Sequence, residues 1–265
     1  MMMYLPIAVK NQGIALENIL SNMPAPPIYK LQYFDRISEL YRQLGLGEFL
    51  MSNDVNDLCN KLNCGIQAYI EFLQHASDAE KATSHVQVFY DAICVNDRKG
   101  MMALATLAPC TVNSRKEYEE DYLCLRILMD YFSLDKPIED VEPMLERYAT
   151  LQAHQPDPRY ALIQSLFDRN DNDFHEALAP LIDNQISQFE DGGDFYAGTQ
   201  EAAAILSNIS SEVIAWLRLA KRQEMAVQEN YLLAPSSAFG DCSMAALPAQ
   251  AWLNLETYRS LPRSR

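Results

Sequence analysis

The sequence predicts an all-α protein, either a bundle or stacked antiparallel helical hairpins of about 9–11 helices. Three observations predict it. Only 9 of 265 residues are Gly, and the apolar set is dominated by Leu, Ala, Ile, Met and Tyr, a mix that favours helix over strand. Apolar residues recur at steps of three and four along most of the chain. No stretch alternates apolar and polar residues as a half-buried strand would. About half the residues are hydrophobic, enough for a substantial core and too many for a disordered chain.

The elements follow in order. Residues 1–27 read as an irregular N-terminal segment, closed by the stiff run Met23-Pro24-Ala25-Pro26-Pro27. Residues 28–235 read as one helical domain. Leu31, Phe34, Ile37, Leu40, Tyr41 and Leu44 share the face of a first helix that Gly45 and Gly47 should end. Asn53 can cap a second helix through Leu73, and Asp78 a third through Val86, Phe89, Tyr90 and Ile93. Asn96 to Gly100 forms a turn before a short helix, Met101 to Leu107. Ser114 and Glu117 have capping-box spacing for a helix through Phe132. Pro137 suits the first turn of the next, which carries Val141, Leu145 and Tyr148. Asp157-Pro158 opens another through Phe167. Asp171 precedes a long one that Gly192-Gly193 ends. Two further helices are expected in 194–208 and 211–229. Residues 236–265 read as a tail, with Trp252, Leu255 and Tyr258 in a short helix packed on the domain.

The net charge is −15, which disfavours direct contact with nucleic acid or an anionic membrane and suits a basic partner. The excess is localised. Residues 1–110 hold 8 basic and 11 acidic residues, residues 111–194 hold 7 and 19, and the remainder 6 of each. A charge serving solubility alone would be spread more evenly, so the middle segment predicts an acidic face turned to a partner.

Catalytic and metal-binding patterns are missing from the sequence. His75, His85, His154 and His175 fall in no His-x-x-x-His or His-Glu-x-x-His spacing. No nucleophile elbow, phosphate-binding glycine loop or dinucleotide fingerprint occurs. Asp168 to Asp173 superficially resembles a calcium loop, but the central Gly is missing and Ala179 holds the twelfth position. Cys59, Cys64, Cys94, Cys110, Cys124 and Cys242 form no Cys-x-x-Cys motif and are expected as reduced thiols. The first twenty residues have no leading basic residues and no small-residue cleavage site, and no apolar run is long enough to span a membrane. The expectation is a cytoplasmic protein without metal or cofactor, working by binding and not as an enzyme, with monomer and dimer both open.

The acidic clusters then supply the candidate contact residues: Glu119, Glu120 and Asp121; Glu139, Asp140 and Glu142; Asp168, Asp171 and Asp173; Glu190, Asp191 and Asp194. Tyr118, Tyr122, Phe195 and Tyr196 flank them as aromatic anchors. Many of these carboxylates also sit where a helix start favours an acid, so capping competes with contact at each.

Two stretches resemble the immunity protein 49 family. Tyr90-Asp91-Ala92-Ile93-Cys94-Val95-Asn96-Asp97-Arg98-Lys99-Gly100-Met101-Met102-Ala103-Leu104-Ala105, followed by Leu107-Ala108-Pro109, is similar to its apolar helix, polar Asp-Arg turn, Ala/Leu helix and Pro. Tyr122 to Phe132, then Asp168 to Gln188, resembles its later helix, polar turn and acidic helix. Asn230-Tyr231-Leu232-Leu233-Ala234-Pro235 is similar to its closing Tyr and Pro. The match covers roughly residues 50–235. It implies an all-helical immunity protein of bacterial polymorphic-toxin, contact-dependent or type VI secretion systems, which binds a cognate secreted toxin. Combined with the acidic segment, it points to a basic, nuclease-type toxin such as a DNase. A competing reading is a helical-repeat scaffold for cellular proteins. Tyr131 to Asp135 and Leu166 to Asn170 each link two helices about 35 residues apart, resembling tetratricopeptide-type hairpins without their characteristic residues.

Overall fold

The computed structural model describes residues 4–24, 27–153, 156–190, 200–242 and 247–254. The fold is all-α: among the described residues the only β pairing is an isolated bridge between Tyr231 and Ala234.

Helix α1 (Leu5–Ser21) corrects the expectation of an irregular N-terminus. Ala8, Val9, Gln12, Gly13, Leu16 and Leu20 bury one stripe, and α1 packs on α2 (Leu31–Ser52) and on α10 (Gln200–Leu206). Pro6 sits at its start, where a missing N–H costs nothing. Helix α2 continues through Gly45 and Gly47, which were expected to end it. A Cβ at Gly47 would collide with Val9 Cγ2, and one at Gly45 would lie 3.0 Å from Lys61 Cβ. These glycines admit close helix neighbours instead of stopping the helix. The helix ends at Asn53, in the left-handed region at φ 55°, and Asp54 rather than Asn53 caps α3 (Val55–His75) by accepting from Asn56 N at 2.9 Å.

Asp78 lies in a single 3₁₀ turn, Asp78–Glu80, and the helix expected from it starts only at α4 (Val88–Cys94), every residue of which is buried. Asp97 caps α5 (Arg98–Leu107) through Gly100 N, so the helix begins inside the expected turn. Ser114 and Glu117 form no helix start. Glu117 accepts from Ser84 N and Asn113 N at 2.7 and 2.8 Å, tying two loops together.

Two hairpins follow. Helices α6 (Glu119–Phe132) and α7 (Ile138–Gln152) form one, and α8 (Pro158–Asp168) and α9 (Asp171–Glu190) the other. Both turns lie at the same end, where Tyr131 meets Phe167 edge-on at 4.4 Å. Helix α11 (Ser211–Arg222) buries Trp216 and packs back on α4, with further contacts to α8 and α9. A solenoid repeat touches only its sequence neighbours, and this closure is of another kind. The chain returns once more at a 3₁₀ turn, Ala251–Leu253, where buried Trp252 donates to Glu71 Oε2 at 3.2 Å and its carbonyl accepts from Tyr41 at 2.6 Å.

The cysteines depart from expectation. Cys59 on α3 is joined to Cys242 by a disulfide across 183 residues, a pairing no local spacing could reveal. Cys64, Cys94 and Cys124 are free and buried, and Cys110 is free and exposed. Disulfides persist in oxidising surroundings, so cysteine usage no longer argues for a reducing compartment.

Candidate functional site

The site is built at the start of α6. Tyr118 holds extended backbone (φ −80°, ψ 146°) just before the helix and is 75% exposed. Glu119, Glu120 and Asp121 then fill the first turn, where the helix dipole favours carboxylates. Glu119 is held by Arg147 of α7 in a two-pronged pair, Nε to Oε1 at 2.7 Å and Nη2 to Oε2 at 2.6 Å. That guanidinium keeps the Glu119 carboxyl below its usual range.

Asp121 lies on the other side of the turn, half-buried. Its nearest cation, Arg159 Nη1, is 3.9 Å away, and Arg159 is already engaged by Glu212 of α11, Nε to Oε1 at 2.7 Å. Burial pushes the Asp121 carboxyl above its usual range; Arg159 opposes this, while Asp157, Glu120 and Glu212 reinforce it. Asp157 caps α8 by accepting from Arg159 N at 2.9 Å, and also accepts from the Tyr148 hydroxyl at 2.5 Å. Asn184, Gln185 and Gln188 of α9 face these groups, and together they line an open cavity of about 510 Å³. It is a rimmed acidic groove with one exposed aromatic ring and under-compensated carboxylates, chemistry suited to receiving a cationic side chain.

The sixteen sequence candidates do not gather here. Tyr122 is buried and its hydroxyl donates to the Cys110 carbonyl at 2.7 Å, a core role. Glu139 and Asp140 are exposed in the first turn of α7, and Glu142 is exposed just after it. The 14 residues of α6 separate them from the groove by roughly 20 Å. Asp168, exposed, and Asp171 and Asp173 share that far end, where Asp171 accepts from Ala226 N at 3.1 Å and Asp173 from Asn170 Nδ2 at 2.7 Å. Glu190 is the last residue of α9. Asp191, Asp194, Phe195 and Tyr196 lie outside the described residues. The single acidic face expected from the charge count is thus divided between two ends of the α6–α9 pair of hairpins.

Sequence reasoning missed Arg159, Gln185, Gln188 and Glu212, and read Asp157 only as a cap. Asp157-Pro158 was the one local signal, and the rest is brought in by packing across 27 residues for Gln185 and Glu212 and 53 for Arg159 and Glu212. Among the described residues, no group of three or more His, Cys, Asp or Glu is placed to hold a metal ion. His85 instead pairs with Asp35 at 2.8 Å and His175 with Tyr231 at 3.1 Å. No described helix is long and apolar enough to cross a membrane.

A family model described as immunity protein 49 matches residues 52–238, most of the chain. No curated protein and no solved structure matches it.

Proposed function

The chain belongs to the immunity protein 49 family, and from that premise we propose that it binds and neutralises a cognate secreted antibacterial toxin through the acidic groove of α6, α8 and α9. The observation that carries this is the exposed ring of Tyr118 beside Glu120 and half-buried Asp121. An aromatic anchor next to partly desolvated charge is the usual make-up of an energetic centre in an interface. A partner's Lys or Arg entering the groove would relieve the repulsion among Asp121, Glu120 and Asp157, and charge of this sign would speed the encounter.

The toxin we propose is basic and of the nuclease type. A nuclease presents a cationic surface to phosphates, and an acidic inhibitor can occupy that surface. The chain then acts by occupation and not by turnover, and the proposed meeting place is the cytoplasm, where a nuclease finds its substrate. The test is to mix the purified chain with the toxin encoded beside it and look for a stable complex and for rescue of intoxicated cells. A complex with rescue supports the reading. Neither a complex nor rescue overturns it.

A further inference from the structure

At the opposite end of the α6–α9 hairpins, one groove beside the acidic residues is lined mostly by cations. A cavity of about 610 Å³ lies between the start of α5, the α6–α7 turn, the α8–α9 turn and the end of α11. Arg98, Arg169, Arg222 and Lys136 line it, with Asp135 as the carboxylate among its lining residues. In a chain carrying −15 overall, this concentration of cations on one groove calls for an account.

Internal pairing does not supply one. Arg98 and Arg169 are exposed and form no ion pair among the described residues. Arg169 is presented by the left-handed C-cap of α8, at φ 51°. Arg222 is tethered by neutral atoms, Asn96 Oδ1 at 2.6 Å and Met101 Sδ at 3.5 Å. Partial burial, then Arg98 and Arg218, weaken its hold on its proton. Lys136 shares Asp130 with buried Arg126, so that carboxylate neutralises only one of two cations. Tyr131 and Phe132 form an aromatic wall beside them.

We infer that this groove is a second docking site, which receives a short acidic polypeptide segment of the toxin; the toxin as its source rests on the function proposed above. Guanidinium forks pair with carboxylates two bonds at a time, and the aromatic wall can take an apolar neighbour in the same segment. A nucleic acid is the other polyanion of suitable chemistry, but it is long. It would have to pass Glu139, Asp140, Glu142 and Asp168 at this end of the hairpins, and their repulsion disfavours it. A segment with two or three carboxylates fits inside the groove and avoids them.

The experiment has two arms. In the first, fluorescence anisotropy follows a labelled hexapeptide of Glu and Asp with one Tyr, with a single-stranded oligonucleotide of equal charge in parallel. The whole chain should bind the peptide, and Arg98→Ala with Arg169→Ala, at exposed and unpaired positions, should weaken it about tenfold or more at unchanged helicity. Peptide affinity unmoved by the two substitutions, or no peptide binding at all, overturns the groove. Tighter binding of the oligonucleotide than of the peptide overturns the choice of ligand. In the second arm, calorimetry compares the same variant with the unaltered chain against the toxin. A similar loss supports the toxin as the source, and equal affinity overturns it. Should no toxin bind the unaltered chain, the function proposed above falls, while the peptide arm still decides the groove by itself.

Discussion

Arg159 of α8 and Glu212 of α11 pair at 2.7 Å across 53 residues, and Gln185 of α9 donates to the same carboxylate at 2.9 Å. One Glu therefore ties three helices together beneath the acidic groove. Both partners are largely buried, so removing one strands the other. Glu212→Ala should lower stability by about 3 kcal/mol, read as a lower urea midpoint. It should also weaken toxin binding through the displaced Arg159. A midpoint within error of the unaltered chain would contradict the tie.

Gly47 of α2 lies against Val9 of α1. Gly47→Ala should destabilise by about 1–3 kcal/mol through overpacking against Val9. Pairing it with Val9→Ala should recover part of the loss, because the colliding methyl is gone. Equal thermal midpoints for the unaltered chain and Gly47→Ala would show that α1 does not pack as described.

Cys59 and Cys242 are the pair that links the C-terminal segment to α3. Thiol titration of the denatured, unreduced protein should count four free thiols, those of Cys64, Cys94, Cys110 and Cys124; six would contradict the bond. Cys59→Ser should cost about 4–5 kcal/mol, since the closed loop is long, and reductant should cost the unaltered chain a similar amount.

His85 Nδ1 lies 2.8 Å from Asp35 Oδ2, and its Nε2 faces the Lys116 carbonyl at 3.2 Å. The Asp35 hydrogen bond, against partial burial, raises the folded imidazole above its unfolded value of about 6.5. A raised folded value means that the contribution is complete below the unfolded value. It disappears as pH climbs through the folded one. The urea midpoint should therefore fall between pH 6 and 8 by more in the unaltered chain than in His85→Gln. The site is partly exposed, so the difference is small. Superimposable profiles would refute it.

How much could be read from the sequence depended on whether the signal was local. Asp157-Pro158, Pro137 and Asp171 marked the starts of α8, α7 and α9 because capping and proline geometry act within a few residues. Gly45 and Gly47 misled for the same reason. A stop and a close approach look alike until the neighbouring helix is known. Glu117 had capping-box spacing but bonds two loops, its partner Ser84 lying 33 residues away. The acidic excess of 111–194 was legible as a count. Its division between two ends was not, because α6, α7, α8 and α9 run back and forth. Tyr118, Glu120 and Asp121 are legible in the sequence as an acidic cluster with a flanking aromatic, whereas Arg159, Gln185 and Glu212 come together only through packing.

Exposed charge acts over about 8–10 Å at physiological ionic strength. The rate of toxin association should therefore fall as salt rises, and dissociation should change less. Stopped-flow mixing across a salt series measures both, and an association rate independent of salt would contradict charge steering.

The most direct measurement of the central claim is the affinity of Glu120→Lys with Asp121→Lys for the toxin, by calorimetry, at unchanged helicity. A loss of at least tenfold is the predicted result, because two attractive carboxylates become repulsive beside Tyr118. An unchanged affinity would contradict the assignment of this groove as the toxin-binding surface.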